Sequence, residues 1–181
     1  MLWCVRAALA LAILLFLPGL RESFEPPKVA AVRVCGLALL IAAITAPLVR
    51  RRAERLPLDL AVGAWLLVEF LSTAFSVSPL LSLVGEPMQR EGLLTSLALA
   101  GIYLAMRTAP PRARDAGLDA TLGWILVPAA AASVYALAQG AGFDLIRWVD
   151  PAIYTPGGGG LRPFGTLGHP NLLGVVTACA A

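Results

Sequence analysis

The chain has 181 residues, 59% of them hydrophobic and 14% charged, with a mean hydropathy of +0.80; soluble domains carry roughly a quarter charged residues, so the composition excludes an ordinary water-soluble fold and predicts a membrane protein. The net charge of +3 does not point to nucleic acid, because the basic residues cluster in short links between apolar runs and not along one polar face. Cys4, Cys35 and Cys179 lie inside apolar runs without metal-ligand spacing, so no disulfide framework, metal site or cofactor is assigned.

Residues 2–20 form the first apolar run, close to the roughly 20 residues a membrane helix needs. A cleaved signal peptide is the competing reading, but Leu17-Pro18-Gly19-Leu20-Arg21 offers no small-x-small cleavage site and further apolar runs follow at once. Residues 21–28 make a polar link in which Pro26 and Pro27 are expected to break the helix. The second span, 29–49, carries Arg33 one turn inside its boundary, where a long side chain is expected to snorkel back to the interface beside Lys28. Arg50, Arg51, Arg52 and Arg55 follow, the densest positive cluster in the chain, which the positive-inside rule places in the cytoplasm.

The third span, 58–77, holds Glu69 near its middle. An ionisable residue at that depth must face the bundle interior, either as a functional group or as a protonated hydrogen-bond donor. Ser72, Thr73, Ser76 and Ser78 line a polar vestibule or bond their own helix backbone. In the outer loop 78–92, Arg90 suits an anionic head group held by its planar fork, or an ion pair with Glu86 or Glu91. The fourth span, 93–109, is broken by Thr95, Ser96, Gly101 and Tyr103 and so belongs inside a bundle. Arg107, Arg112 and Arg114 make the next link cytoplasmic. The fifth span, 118–139, contains Pro128, expected to kink it, and a small-residue face at 129–133 for close helix contact.

Residues 140–169 form the longest link. Loops of this length are usually functional or disordered. Asp144 and Asp150 are a weak acid/base pair there and read better as surface charges, while Trp148 and Tyr154 suit the membrane interface. The glycines at 157–160 need an external partner to be ordered. Pro170 fits the first position of a helix, which makes His169 its N-cap and sets Arg162, His169 and Asn171 near the positive end of a helix dipole, a setting that favours phosphate or carboxylate. The sixth span, 170–181, would reach only ~16 Å as a helix, about half a bilayer, so the sequence is expected to be the N-terminal fragment of a larger protein.

Two blocks carry a family resemblance. Arg162-Pro163-Phe164-Gly165-Thr166-Leu167-Gly168-His169-Pro170-Asn171, followed by Leu173 and Gly174, and Ser82-Leu83-Val84-Gly85 followed by Gln89-Arg90-Glu91-Gly92-Leu93-Leu94-Thr95, resemble segments of the bacterial O-antigen ligase/polymerase family. Its members are integral membrane enzymes that move glycans from undecaprenyl diphosphate carriers. The resemblance implies an all-α, polytopic transmembrane bundle, with five complete spans and a truncated sixth forming a single membrane domain over residues 1–181, part of a larger GT-C-like fold. It implies a lipid-linked glycan donor, an acceptor on lipid A-core, a growing glycan or a protein, and a place in the inner membrane and in lipopolysaccharide biosynthesis. Arg162, Arg90, Asn171 and Glu69 are the expected substrate-binding residues. His169 is a weak candidate for the catalytic base, since the family's functional histidine and key arginines lie on later outer loops, and residues 1–181 alone are expected to be inactive. The alternatives are a transporter or channel with Glu69 as its coupling group, for which no inverted repeat is visible, or a non-catalytic membrane scaffold.

The arginine clusters predict a cytoplasmic N-terminus, with loops 21–28, 78–92 and 140–169 periplasmic. Cysteines introduced at Ala53 and Ala113 should therefore stay unlabelled by an impermeant maleimide in intact cells and react once the membrane is opened. Labelling of either from the periplasmic side would overturn this topology.

Overall fold

The computed structural model describes residues 2–18, 20, 23–45, 57–86, 90–109, 111–143, 146 and 163–180, with only the helical backbone described for 111–119 and 180. Among the described residues all regular structure is helical: α1 (Leu2–Leu14), α2 (Glu25–Thr45), α3 (Pro57–Ala74), α4 (Pro79–Val84), α5 (Leu93–Thr108), α6 (Pro111–Gly140) and α7 (Pro170–Ala180). Three stretches, Glu25–Thr45, Pro57–Ala74 and Ala120–Gly140, are long and apolar enough to cross a membrane. Their outward faces carry large apolar side chains such as Val34, Ile44, Val68, Phe70 and Leu137. Water would penalise such faces and hydrocarbon does not. α1 and α5 are apolar but have only 13 and 16 residues, shorter than the ~30 Å hydrocarbon core at 1.5 Å per residue.

Prolines open five of these helices. Pro26 and Pro27, expected to break the chain, lie in the first turn of α2, where a missing N–H costs nothing because that donor would have no partner in the helix. α2 therefore starts before the expected boundary at 29. Pro57, Pro79, Pro111 and Pro170 are each the first residue of a helix, and α6 begins at Pro111, ahead of the expected 118. It also runs through Pro128 as one element. α4 falls within the loop expected over 78–92.

The helices group into two compact units, Met1–Ala8 with Val29–Asp119, and Leu9–Lys28 with Ala120–Ala181. In the first, α5 is the central element, burying Ser96, Ala98, Ala100, Gly101 and Ala105. This is the bundle-interior helix its small and polar residues predict. α2 crosses it backbone to backbone: a Cβ on Gly36 would collide with the backbone of Ala98, and one on Gly101 with the carbonyl of Gly36. α3 and α4 pack on α5 and on each other. The covered residues of α3, Asp59, Val62, Leu66, Glu69 and Thr73, recur at alternating steps of three and four, one stripe of a helix. Glu69 lies on that stripe, half-buried, as its ionisable group requires.

An ion pair joins the cytoplasmic ends predicted for α3 and α5. Arg107 donates to both carboxylate oxygens of Asp59, at 2.5 and 2.6 Å, and the Tyr103 hydroxyl donates to Oδ1 at 2.6 Å. The start of α3 therefore meets the end of α5, so the two run antiparallel. Arg107, counted above with the loop arginines, spends its fork on a partly buried carboxylate.

In the second unit Ala129, Ala132 and Ala136 bury the small-residue face of α6. Phe16, Phe24, Phe164 and Tyr135 form an aromatic chain around it. Phe16 stacks on Phe24 at 6.0 Å and on Tyr135 at 6.4 Å, and Phe24 meets Phe164 edge-on at 5.5 Å.

Because the α2–α5 crossing leaves no space for a side chain, Gly36→Val should lower thermal stability in detergent by about 1–3 kcal/mol, the range for overpacking a close contact. Gly63→Ala, where nothing lies within 4 Å of the added carbon, should leave the melting temperature unchanged or raise it. Equal melting of Gly36→Val and wild type would contradict the crossing.

Candidate functional site

The described residues of both sequence blocks form compact turns, and each is organised by a side chain from elsewhere in the chain. In the first, α4 ends at Gly85, whose φ of 88° and lack of space for a Cβ, 2.6 Å from the carbonyl carbon of Arg90, allow only glycine. Gly92 is equally confined: a Cβ there would lie 2.5 Å from the Gly85 nitrogen. The turn then passes Arg90, a non-glycine residue at φ 51°, whose N–H donates to the Glu86 carbonyl at 2.6 Å. Ser82 donates from Oγ to Ser76 Oγ at 2.6 Å, and Ser76 Oγ accepts the Ser78 N–H at 3.2 Å, so Ser76 closes the entry to α4. Thr73 bonds its own helix at the Glu69 carbonyl, the backbone bonding expected of it.

Arg33 reaches into this loop and does not snorkel beside Lys28. Its Nε donates to Thr95 Oγ1 at 3.0 Å, and its Nη2 donates to the carbonyls of Val84, at 2.5 Å, and Arg90, at 2.7 Å. Thr95 Oγ1 in turn donates to the Arg90 carbonyl at 3.0 Å. The reason is elementary: the end of α4 and the left-handed residue leave carbonyls without helical donors, and in apolar surroundings each such group demands a partner. One guanidinium supplies several donors in a fixed fork. Arg90 itself is half-buried, with Nε shielded from solvent.

The second block is fastened by Gln139 and Lys28. Gln139 is buried at the end of α6, and its Oε1 accepts the backbone N–H of Phe164 at 3.3 Å and of Gly165 at 2.9 Å. Lys28 Nζ donates to the Thr166 carbonyl at 2.6 Å, while Thr166 Oγ1 donates to the Ile13 carbonyl at 2.7 Å, where α1 ends. Gly165, at φ 57°, sits 2.8 Å, measured from its would-be Cβ, from the Ala132 carbonyl, so the small face of α6 admits this loop as well as a helix. Gly168, at φ 79°, leaves its place to the Phe24 ring.

His169 caps α7. Its Nδ1 accepts the Asn171 N–H at 3.2 Å, and its carbonyl accepts the Leu173 N–H at 3.1 Å. The cap occupies the Nδ1 lone pair. The geometry therefore favours the capping role over the base. Asn171 is exposed on the first turn of α7. Arg162, with Asp144, Trp148, Asp150, Tyr154 and the glycines at 157–160, lies outside the described residues. Glu69 and Arg90 belong to the first unit, His169 and Asn171 to the second. Among the described residues no cluster of His, Cys, Asp and Glu could hold a metal ion.

Chemically, the described parts offer a guanidinium, Arg90, carried on a turn braced by glycines, and a helix N-terminus next to a tightly bonded loop. Rigid cations and oriented N–H groups of this kind suit anionic oxygens. No motif in the sequence ties Arg33, Lys28 or Gln139 to either block. Their one sequence signal is a polar or charged residue inside the first or last turns of an apolar run.

Gln139→Leu should leave two buried amides without an acceptor, at roughly 1–3 kcal/mol for each. Hydrogen exchange at Phe164 and Gly165 should accelerate, whereas Gln139→Glu, which keeps the acceptor oxygen, should retain their protection; unchanged exchange in Gln139→Leu would refute the anchor. No family model matches the chain, and no curated protein or solved structure matches it.

Proposed function

We propose that the chain provides membrane helices and two substrate-facing loops of an O-antigen ligase-like glycosyltransferase. In this reading it lies in a bacterial inner membrane with its N-terminus in the cytoplasm, α1 and α5 complete the set of five spans within a GT-C-like bundle, and both blocks face the periplasm. The observation that carries the reading is the pair of blocks themselves. Gly85, Gly92, Gly165 and Gly168 each stand where the backbone or a neighbouring ring leaves no space for a side chain, so their spacing answers to a built loop and not to composition.

The reaction is transfer of a glycan from undecaprenyl diphosphate to an acceptor hydroxyl. The acceptor oxygen forms a bond to the anomeric carbon, the bond from that carbon to the diphosphate breaks, the diphosphate leaves with the electron pair, and the acceptor proton passes to a base. Charge grows on the leaving diphosphate, and positioned guanidinium groups stabilise it without a metal. In this reading Arg90 in the first block, and Arg162 and Asn171 in the second, are substrate-binding residues for the diphosphate or the glycan. Glu69 lines the polar side of α3. His169 stays a weak candidate for the base, since its Nδ1 also accepts the Asn171 N–H in the cap.

The test is transfer of an undecaprenyl-linked glycan in membrane vesicles from cells carrying the intact gene. Arg162→Lys keeps the charge but loses the planar fork, so a bidentate diphosphate contact should weaken and the rate should fall by about tenfold, whereas loose attraction to phospholipid would persist. Wild-type rates for both Arg162→Lys and Arg162→Ala at normal protein abundance would remove Arg162 from the site. Vesicles from gene-deleted cells that transfer glycan equally well would remove the function.

A further inference from the structure

The geometry points to Arg33 as the positioning residue of an anion site at Arg90: by holding the carbonyls of Val84 and Arg90 and the Thr95 hydroxyl, it fixes Arg90 in the conformation that binds the donor's diphosphate. This rests on the reading of Arg90 as a diphosphate ligand. Two features of the turn carry it. Arg90 is at φ 51°, a region that non-glycine residues occupy only when their surroundings hold them there, and such residues concentrate where a side chain must be aimed. What holds it is specific. The Arg90 carbonyl accepts from both Arg33 Nη2 and Thr95 Oγ1, and the same guanidinium reaches Thr95 through Nε and the end of α4 through the Val84 carbonyl.

The acceptors of these Arg33 bonds are two carbonyls and a hydroxyl, all neutral. They satisfy its donors without cancelling its charge. A simple brace would need only donors, and a neutral amide supplies those with no charge to desolvate. A guanidinium bonded to the Arg90 carbonyl adds a positive charge close to Arg90, so a diphosphate at Arg90 would lie in the field of two cations. The hydrogen bonds also explain why the block needs Thr95: its hydroxyl accepts from Arg33 and donates to Arg90 at once, a dual role that only a hydroxyl can fill at that place.

The experiment measures binding of undecaprenyl diphosphate to the full chain in lipid nanodiscs, with the Arg90 Nε–H resonance followed by 15N NMR. In the wild type this resonance should move on saturation, and Arg90→Ala should abolish specific binding. Arg33→Lys, which keeps the charge but not the fork, and Thr95→Val, which keeps the shape but not the hydroxyl, should each weaken affinity by about tenfold with the helical circular dichroism signal retained. Thr95→Ser should restore wild-type affinity and the wild-type Arg90 resonance. If Arg90→Ala abolishes binding while Arg33→Lys and Thr95→Val bind like wild type, Arg33 is only a brace and the inference falls while the Arg90 reading stands. If Arg90→Ala binds like wild type, the Arg90 reading fails and the inference with it. Should Arg33→Lys not fold, the Thr95→Val and Thr95→Ser pair decides between the same outcomes.

Discussion

A backbone N–H or carbonyl that leaves a helix in apolar surroundings has no water to turn to, and each one left bare costs several kcal/mol. That constraint governs this protein more than any other. Helices satisfy themselves internally, so the difficulty collects where they end, and both sequence blocks lie at such ends. Arg33, Gln139, Lys28 and Thr166 answer it by sending polar side-chain atoms onto loop or helix-end backbone. His169 answers it locally, by capping its own helix.

The same constraint explains why the loops are glycine-dense. A loop bonded tightly to a buried side chain is drawn close to the helix that carries it, and close approach leaves no space for a Cβ. Gly165 over the Ala132 carbonyl and Gly92 against the Gly85 nitrogen are direct consequences. The small residues of α5 and α6 serve a related end. They let backbone meet backbone at Gly36 and Gly101, or loop meet helix at Ala132 and Ala136. A loop held so firmly on one side has little conformational freedom left to lose.

Polar interactions thus divide by the end of the helix on which they fall. At the start of α5, Arg33 and Thr95 shape a loop. At its other end, Asp59, Tyr103 and Arg107 form a closed ion-pair cluster that joins α3 to α5. A bidentate carboxylate–guanidinium pair neutralises its own charge, whereas Arg33 on carbonyls does not. The difference separates a neutralised joint from a guanidinium that keeps its charge.

The sequence alone determined that the chain is helical and apolar enough for a membrane, which runs become helices, and that Pro170 opens a helix capped by His169. Those features follow from local chemistry: hydropathy, the missing N–H of proline and the reach of a side chain over one turn. The placement of Glu69 on the covered stripe of α3 was equally legible, because an ionisable group at that depth has few alternatives. Only the tertiary structure decided that Arg33 turns into a loop 51 to 62 residues away, that Lys28 reaches Thr166 across 138, and that Gln139 is the anchor of the second block. A lone arginine near a span boundary reads as snorkelling, because sequence shows the cost of its charge but not which bare carbonyls lie within its reach. That information exists only once the helices have packed.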